Sequence, residues 1–375
     1  MASVRVEPVQ TKREQRAFIN FLWDLYKGDP NWVPPLIMTQ KENLNYRKQP
    51  FYDRNTIQTF LAYQNDRVVG RIAAIVNVGH NERYKEKRGF FGFFESIDSV
   101  DVASALFDAA SNHLRQQGME HVRGPVNPSL NHDIGCLVEG FDTPPTFMMT
   151  YNPKYYDRLI TEYGFEKTQD AYAFEAEATL LDRIDPKLRF VIDEVKRRFN
   201  VSVRPIDRKK FGEEVRLFLH IYNRSLEGTW GFVPMSDAEV DFMAKGLKML
   251  LAPELTSIIE VDGKPVGAGL GLLDFNPRIK AINGRLFPFG FTKLLFGTRS
   301  IDRVRLVSTN VLPEWQRWGL GLVALEGMLP KCLERGIKYA EFSWVLESND
   351  LSRGSLERSG VEKTKTYRIY DKALS

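Results

Sequence analysis

Cysteine is scarce: only Cys136 and Cys332 occur in 375 residues, and they lie far apart. That count excludes a disulfide framework and offers no metal-ligand spacing, so a reducing compartment is expected. Long apolar runs are missing too. No stretch approaches the roughly 18 apolar residues of a membrane span, and the opening MASVRVEPVQTKREQ has no apolar core of a secretory signal. A cytoplasmic protein is the expectation. Nor does charge of one sign dominate. Lys and Arg number 52 against 48 Asp and Glu, for a net charge of +4. That balance argues against the concentrated basic face a nucleic-acid partner needs. No nucleic-acid partner and no metal are expected. What is present is ordinary for a soluble globular chain, with 43% hydrophobic and 27% charged residues. At about 150 residues per domain the length suggests two domains.

The chain repeats itself once. At an offset of 197 residues, Val4, Val6 and Pro8 fall on Val201, Val203 and Pro205. Phe21 and Leu22 fall on Phe218 and Leu219, Gly70 on Gly267, and Asn152 on Asn349. One residue out of register, Gly164-Phe-Glu-Lys-Thr matches Gly360-Val-Glu-Lys-Thr. Between these anchors the second half carries 21 extra residues before Gly336, and the first half 21 extra after Gly118. A shared order of elements with insertions in different loops reads as two copies of one fold. Domains of 1–178 and 179–375 follow, the second opening on a linker helix.

Each copy reads as mixed α/β. A short alternating strand opens it, then an amphipathic helix with Phe18, Phe21, Leu22 and Leu25 at helical spacing. Two strands follow around a tight turn, with Asn65-Asp66 or Asp262-Gly263 at its tip. Longer helices are expected over 101–117 and about 319–335, ending at Gly118 and Gly336 as C-caps. A strand, a helix and a last strand complete each copy. Asp185-Pro186 looks like the start of a helix, KLRFVIDEVKRRF, that bridges the copies. The fold class is α/β, a mixed sheet with helices on both sides.

Gln316-Arg317-Trp318-Gly319-Leu320-Gly321 stands between the strand RVRLVSTNV and an apolar helix. Glycines there let backbone N–H groups approach an anion at a helix N-terminus, an arrangement suited to a diphosphate. Downstream, Trp344-Val-Leu-Glu-Ser-Asn349 is followed eleven residues later by Gly360. Together these resemble the signature of the GNAT acyltransferase superfamily: Q/R-x-x-G-x-G/A, a strand, then Asn with Gly about eleven residues on. With WVPPL, GFDTPP, MMTYNPKYY and KTYRIYDK, the whole chain resembles bacterial tandem-GNAT proteins.

The resemblance implies two GNAT-like domains in tandem and acetyl-CoA or a longer acyl-CoA as donor. The diphosphate would sit on residues 316–321, and the pantetheine would run along Val307, Thr309 and Val311, held partly by Asn349. The first copy departs from the pattern. Its counterpart, FFESIDSVDVASALFDAA, has no glycine pair, and Asp98 and Asp101 would repel a diphosphate. One CoA site is therefore expected, in the second copy. The long first-copy insertion GPVNPSLNHDIGCLVEGFDTPPTFMMTYNP is either functional or a structured inter-domain plug.

Acyl transfer to an amine needs a base, an oxyanion donor and a proton for the leaving thiolate. Attack in this superfamily is usually direct, so neither cysteine need be a nucleophile, and Cys332 reads as core. Glu347 and Glu341 are the carboxylate candidates for the base: alternation from Glu341 puts Ser343, Val345 and Glu347 on one strand face, which carries both acids, and Glu347 is the preferred one. The usual acid of the family, a Tyr seven residues after the Asn, is Leu356 here; Tyr367 and Tyr370 are the substitutes. His132 is a weaker candidate. Tyr222, Asn223 and Trp230 are candidate acceptor-binding residues, with Tyr151 and Asn152 from the first copy. Leu286-Phe-Pro-Phe-Gly-Phe-Thr-Lys-Leu-Leu-Phe-Gly297 is expected to pack between the domains, or else to line an acyl tunnel or dip into a membrane interface.

The leading function is thus acyl-CoA-dependent N-acyl transfer to a small-molecule or lipid amine. The alternatives are a non-catalytic acyl-CoA or lipid-binding protein, or a sphingoid-type N-acyltransferase using long-chain acyl-CoA. Aminoacyl or peptidyl transfer would need a basic groove for transfer RNA, which the charge balance does not support.

Overall fold

The computed structural model describes residues 3–178 and 186–374. In chain order the first half contains β1 (Arg5–Pro8), α1 (Lys12–Leu25), β2 (Thr56–Gln64), β3 (Arg67–Val76), β4 (Arg88–Ser96) and α2 (Val100–Gln116). It continues with β5 (His121–Gly124), the short β6 (Val126–Asn127) and β7 (Asp133–Ile134), β8 (Cys136–Glu139), α3 (Tyr156–Glu162) and β9 (Glu166–Glu177). The second half runs α4 (Pro186–Phe199), β10 (Val201–Arg204), α5 (Phe211–Ser225), α6 (Asp237–Leu250), β11 (Thr256–Val261) and β12 (Lys264–Leu273). It closes with β13 (Arg303–Val311), α7 (Leu320–Arg335), β14 (Tyr339–Leu346), α8 (Asp350–Arg358) and β15 (Glu362–Ala373).

Local chemistry explains these boundaries. Thr11 and Glu14 form a reciprocal cap at the start of α1, whose buried face is Phe18, Ile19, Phe21 and Leu22. The β2–β3 turn has both central residues at positive φ (Asn65 46°, Asp66 59°), as does β11–β12 (Asp262 47°, Gly263 73°). That is the geometry whose twist matches a two-residue hairpin. Gly336 ends α7 at φ 88°, the left-handed cap that glycine adopts without a Cβ clash.

By contacts the chain forms two compact units. The first is Met1–Ala171, Asn276–Phe291 and Lys365–Ser375; the second is Tyr172–Phe275 and Thr292–Thr364. The first unit's sheet has the order β1-β2-β3-β4-β5-β15. Its neighbours are antiparallel except β4 and β5, which run parallel. Its core is built on Phe91, Phe94, Leu106, Phe107, Leu114 and Tyr156. The second unit's sheet has the order β9-β14-β13-β12-β11-β10, and in it β13 and β14 run parallel.

The halves therefore exchange closing strands, which corrects the expectation that each copy completes its own sheet. β9, from the first half, neighbours β14, and β15, from the second, pairs with β5 from Tyr370↔Gly124 to Ala373↔His121. The two strands have nearly the same sequence of buried and exposed positions. Alternation fixes which face a strand presents but not which neighbour it pairs with.

Two further expectations change. The α4 helix packs within the second unit rather than bridging the copies: Lys196 Nζ donates to Glu326 (2.6 Å), and Phe199 meets Trp315 and Trp318 edge-on. Asp185 lies outside the described residues. The phenylalanine-rich segment is not packed away. Phe287, Phe289, Phe291 and Phe296 are 74, 73, 41 and 74% exposed.

Candidate active site

The second unit contains an opening between its two parallel strands. β13 and β14 pair only over Arg303–Leu306 and Tyr339–Phe342, while β13 stays paired with β12 through Val311. Past Leu306 the parallel strands part, so the stretch carrying Val307, Thr309 and Val311 is paired on its β12 side only. A short 3-10 helix, Pro313–Trp318, then leads to Gly319 at φ 73°. Gly319 caps the N-terminus of α7. The amides of Gly319, Leu320 and Gly321 have no hydrogen-bond acceptor among the described residues. Unpaired amides at the positive end of a 16-residue helix form a ready anion site. The backbone is open there: a Cβ on Gly319 would meet nothing within 4 Å, and one on Gly321 only Thr309 Cγ2 at 3.6 Å. This cradle fits a diphosphate, and the strand stretch beside it fits an extended amide-bearing arm.

The neighbouring side chains have separate tasks. Gln316 donates its carboxamide to the carbonyls of Ser225 (2.9 Å) and Val311 (3.1 Å), which fastens the turn to α5 and β13. Trp318 packs edge-on against Phe199, with Arg198 5.1 Å over its ring. Arg198 and Arg317 are both exposed and give the cradle a basic rim. Asn349 caps α8 by accepting from the Ser352 N–H (3.1 Å). Glu347 lies not on β14 but in the turn that follows it, half-buried between the strand end and Asn349. Asn223 clamps the loop after α5, accepting from Met235 N–H (3.1 Å) and donating to its carbonyl (3.2 Å). Tyr222 packs against Phe218 and Phe232, and burial pushes its phenol up to about 12. Trp230 is half-buried in the same loop.

Reading the sequence offered Glu341 as a second candidate base but missed its burial and the Arg305 beside it. Arg305 and Glu341 are 2% and 1% exposed. Ser343 Oγ donates to Glu341 (2.6 Å) and accepts from Arg305 Nε (2.9 Å). Arg305 also donates to the Ser343 carbonyl and lies 4.7 Å over the Trp344 ring. Glu341 is thus a buried acid linked to Arg305 through the Ser343 hydroxyl, which corrects its placing as a candidate base on an open face. The clue was an Arg and a Glu at interior positions of two alternating strands.

The remaining candidates belong to the first unit. Tyr367 and Tyr370 are fully buried there. The Tyr370 hydroxyl donates to Asp157, and desolvation holds its pKa far above a phenol's usual value. His132 is braced by Ser129 (2.9 Å), and burial lowers its pKa to about 4, so it stays neutral. Asn152 accepts from Leu137 N–H (2.6 Å) and donates to the Leu137 carbonyl (3.1 Å); it staples the insertion to β8. Tyr151 donates to Asp29 (2.9 Å) and lines a cleft of about 570 Å³ with Asn31, Phe141 and Lys154. A second buried network went unread: Glu95 accepts from Tyr26 (2.8 Å) and Tyr156 (2.7 Å) beside Arg71. Both cysteines are buried and free. Desolvation raises both thiols, Cys332 to about 11, which disfavours the nucleophilic thiolate.

The first unit also has parallel strands that part: β4 and β5 pair only over Arg88–Phe90 and His121–Arg123. There the insertion fills the gap. The Phe93 N–H donates to Asn127 Oδ1 (2.6 Å), and a Cβ on Gly92 would sit 1.8 Å from the Val126 carbonyl oxygen. The α2 N-terminus is capped by the Ser99 side chain, and Asp98 is ion-paired with Arg158. The insertion is therefore a plug in its own unit.

No protein-family model matches the chain. It is 36% identical over 369 residues to Protein YghO of Escherichia coli K12, covering 97% of this chain and 94% of that one. It is 33% identical over 383 residues to the bacterial ceramide synthase of Caulobacter vibrioides, covering 100% and 98%. The chain belongs to the family of Protein YghO and the bacterial ceramide synthase. Solved structures agree with that family's architecture. A tandem GNAT protein from the clavulanic acid biosynthesis pathway matches with a TM-score of 0.55 at 12% identity, covering 100% of this chain and 99% of that one. A GCN5-related N-acetyltransferase from Sphaerobacter thermophilus also gives 0.55, at 11% identity over 99% and 96%. At such identities these two likenesses speak for the fold of the family alone.

Proposed function

We propose that this protein is an acyl-CoA-dependent N-acyltransferase with one donor site, in the second unit, and a lipid amine of the sphingoid-base class as acceptor. The observation that carries the reading is the trio of unpaired amides at Gly319, Leu320 and Gly321 beside a strand stretch left open toward its parallel neighbour. That pairing of features suits a coenzyme A diphosphate and pantetheine arm. The plugged opening of the first unit supports a single site. The ceramide synthase relative supports a long-chain amine acceptor and a fatty acyl donor.

In this reading the amides hold the diphosphate, Arg317 and Arg198 screen its charge from the rim, and Val307–Val311 aligns the thioester arm. The neutral acceptor nitrogen attacks the thioester carbonyl directly, the C–S bond breaks, the second proton shed by the nitrogen passes to the departing thiolate, and an amide and free CoA thiol leave. Glu347, in the turn beyond β14, is the proposed base that takes the ammonium proton, directly or through a water. Tyr367 and Tyr370, buried in the first unit, receive no step. Glu347→Gln then lowers kcat by about a hundredfold with little change in the KM for donor, the range typical of a lost general base.

The test is release of free CoA thiol from acetyl-, medium- and palmitoyl-CoA with amino acids, simple amines and sphinganine. Release with palmitoyl-CoA and sphinganine, with an N-acyl product by mass spectrometry, is the expected result. Tight CoA binding without release for any amine would overturn it in favour of a non-catalytic acyl-CoA-binding protein. Leu356, standing where family members often place a tyrosine acid, is the observation that favours that second reading.

A further inference from the structure

The chain between Phe275 and Ile301 contains five basic residues, Arg278, Lys280, Arg285, Lys293 and Arg299, and no acid. Within it Phe287, Phe289 and Phe291 are exposed, and Phe296 follows along the same segment. Large apolar side chains gathered on one exposed segment mark a binding surface. The segment is also built rather than loose. Trp23 Nε1 donates to Asn283 (2.6 Å), the Ile37 N–H donates to the Gly284 carbonyl (3.1 Å), and Asn276 donates to the Pro145 carbonyl (2.6 Å). Arg285 stacks 5.6 Å from Trp23. The Phe291 N–H closes on the Leu286 carbonyl (2.9 Å), a turn so tight that a Cβ on Gly290 would lie 1.9 Å from the Arg285 carbonyl oxygen. The phenylalanines are thus presented on a fixed support, which lowers the ordering cost of docking.

We propose that residues 285–291 are a membrane-docking wedge that inserts its phenylalanine rings, Phe287, Phe289 and Phe291, at the surface of an anionic bilayer. Charge complementarity selects this occupant: aromatic tips on a segment whose only charged residues are Lys and Arg suit an interface where apolar burial and anionic headgroups act together. No described helix is long or apolar enough to cross a membrane, so the contact is peripheral. The wedge goes beyond the catalytic reading, because docking is measured with no donor or acceptor present.

The experiment is flotation of the full chain with vesicles of phosphatidylglycerol and phosphatidylethanolamine, against pure phosphatidylcholine vesicles. The wild-type chain is expected to float with the anionic vesicles and to be released by salt. Phe287→Ser/Phe289→Ser should weaken partitioning by roughly tenfold to a hundredfold, the loss expected for two partly inserted rings, with Tm unchanged because both rings are exposed. Arg285→Glu should weaken anionic binding further without abolishing a residual apolar component. Absence of anionic-vesicle binding by the wild type, or equal binding by the serine variant, would overturn the proposal. So would a dimer in sedimentation that the serine variant dissociates, which would make the patch a contact between copies.

Discussion

Gly319 offers a clean test of the anion cradle. Its φ of 73° penalises any side chain, by about 1–2 kcal/mol for a left-handed residue. Its Cβ direction is open, so no steric cost is added. Gly319→Gln and Gly319→Glu should therefore be equally destabilised, and they differ only in charge. A carboxylate about 6 Å from a diphosphate carrying about two charges is repelled by roughly 1.4 kcal/mol in bulk water and more at the lower dielectric of a protein surface. At this half-exposed position the Glu variant should bind CoA roughly tenfold to a hundredfold more weakly than the Gln variant. Isothermal titration at low and high salt reads the difference directly, and the gap should narrow as ionic strength rises. Equal affinities for the two variants, with matching Tm values, would refute a phosphate at this turn.

Other expectations follow from the same geometry. Gly92→Ala forces a methyl onto the Val126 backbone; it should cost about 3 kcal/mol or more, seen as a lower urea midpoint. Glu341→Gln leaves Arg305 buried without its carboxylate and should lower stability by about 3–5 kcal/mol, measured by denaturant unfolding. His80 and His132 are both held near pKa 4 by burial, so the unfolded chain binds their protons first. Their contribution is complete above pH 6.5 and lost as pH falls toward 4. At pH 5 each should cost about 2 kcal/mol, and His132→Gln should flatten the fall in Tm between pH 7 and pH 5.

Much of this architecture was legible in the residues. The repeat, the two hairpin turns at Asn65-Asp66 and Asp262-Gly263, and the glycine-capped helix over 320–335 follow from local chemistry, which is why spacing alone revealed them. The glycine turn at the start of that helix was legible for the same reason, since a left-handed helix start leaves a mark in sequence. Strand exchange was not. β9 and β15 carry interchangeable patterns, and the choice of neighbour is tertiary. Glu347 was misplaced because alternation was carried one residue past the end of β14 at Leu346. The Arg305–Glu341 and Arg71–Glu95 pairs escaped because a buried charge looks, in sequence, like a surface one until its partner is known. The exposure of Phe287 and Phe289 ran against the usual rule that such residues pack inside, and a rule about averages cannot identify an exception reserved for a surface.

A crystal structure of the chain with a non-hydrolysable palmitoyl-CoA analogue tests the central claim most directly. The account predicts the diphosphate on the Gly319, Leu320 and Gly321 amides and the pantetheine beside Val307–Val311. Density for the coenzyme in the first unit, or a diphosphate held elsewhere in the second, would contradict it.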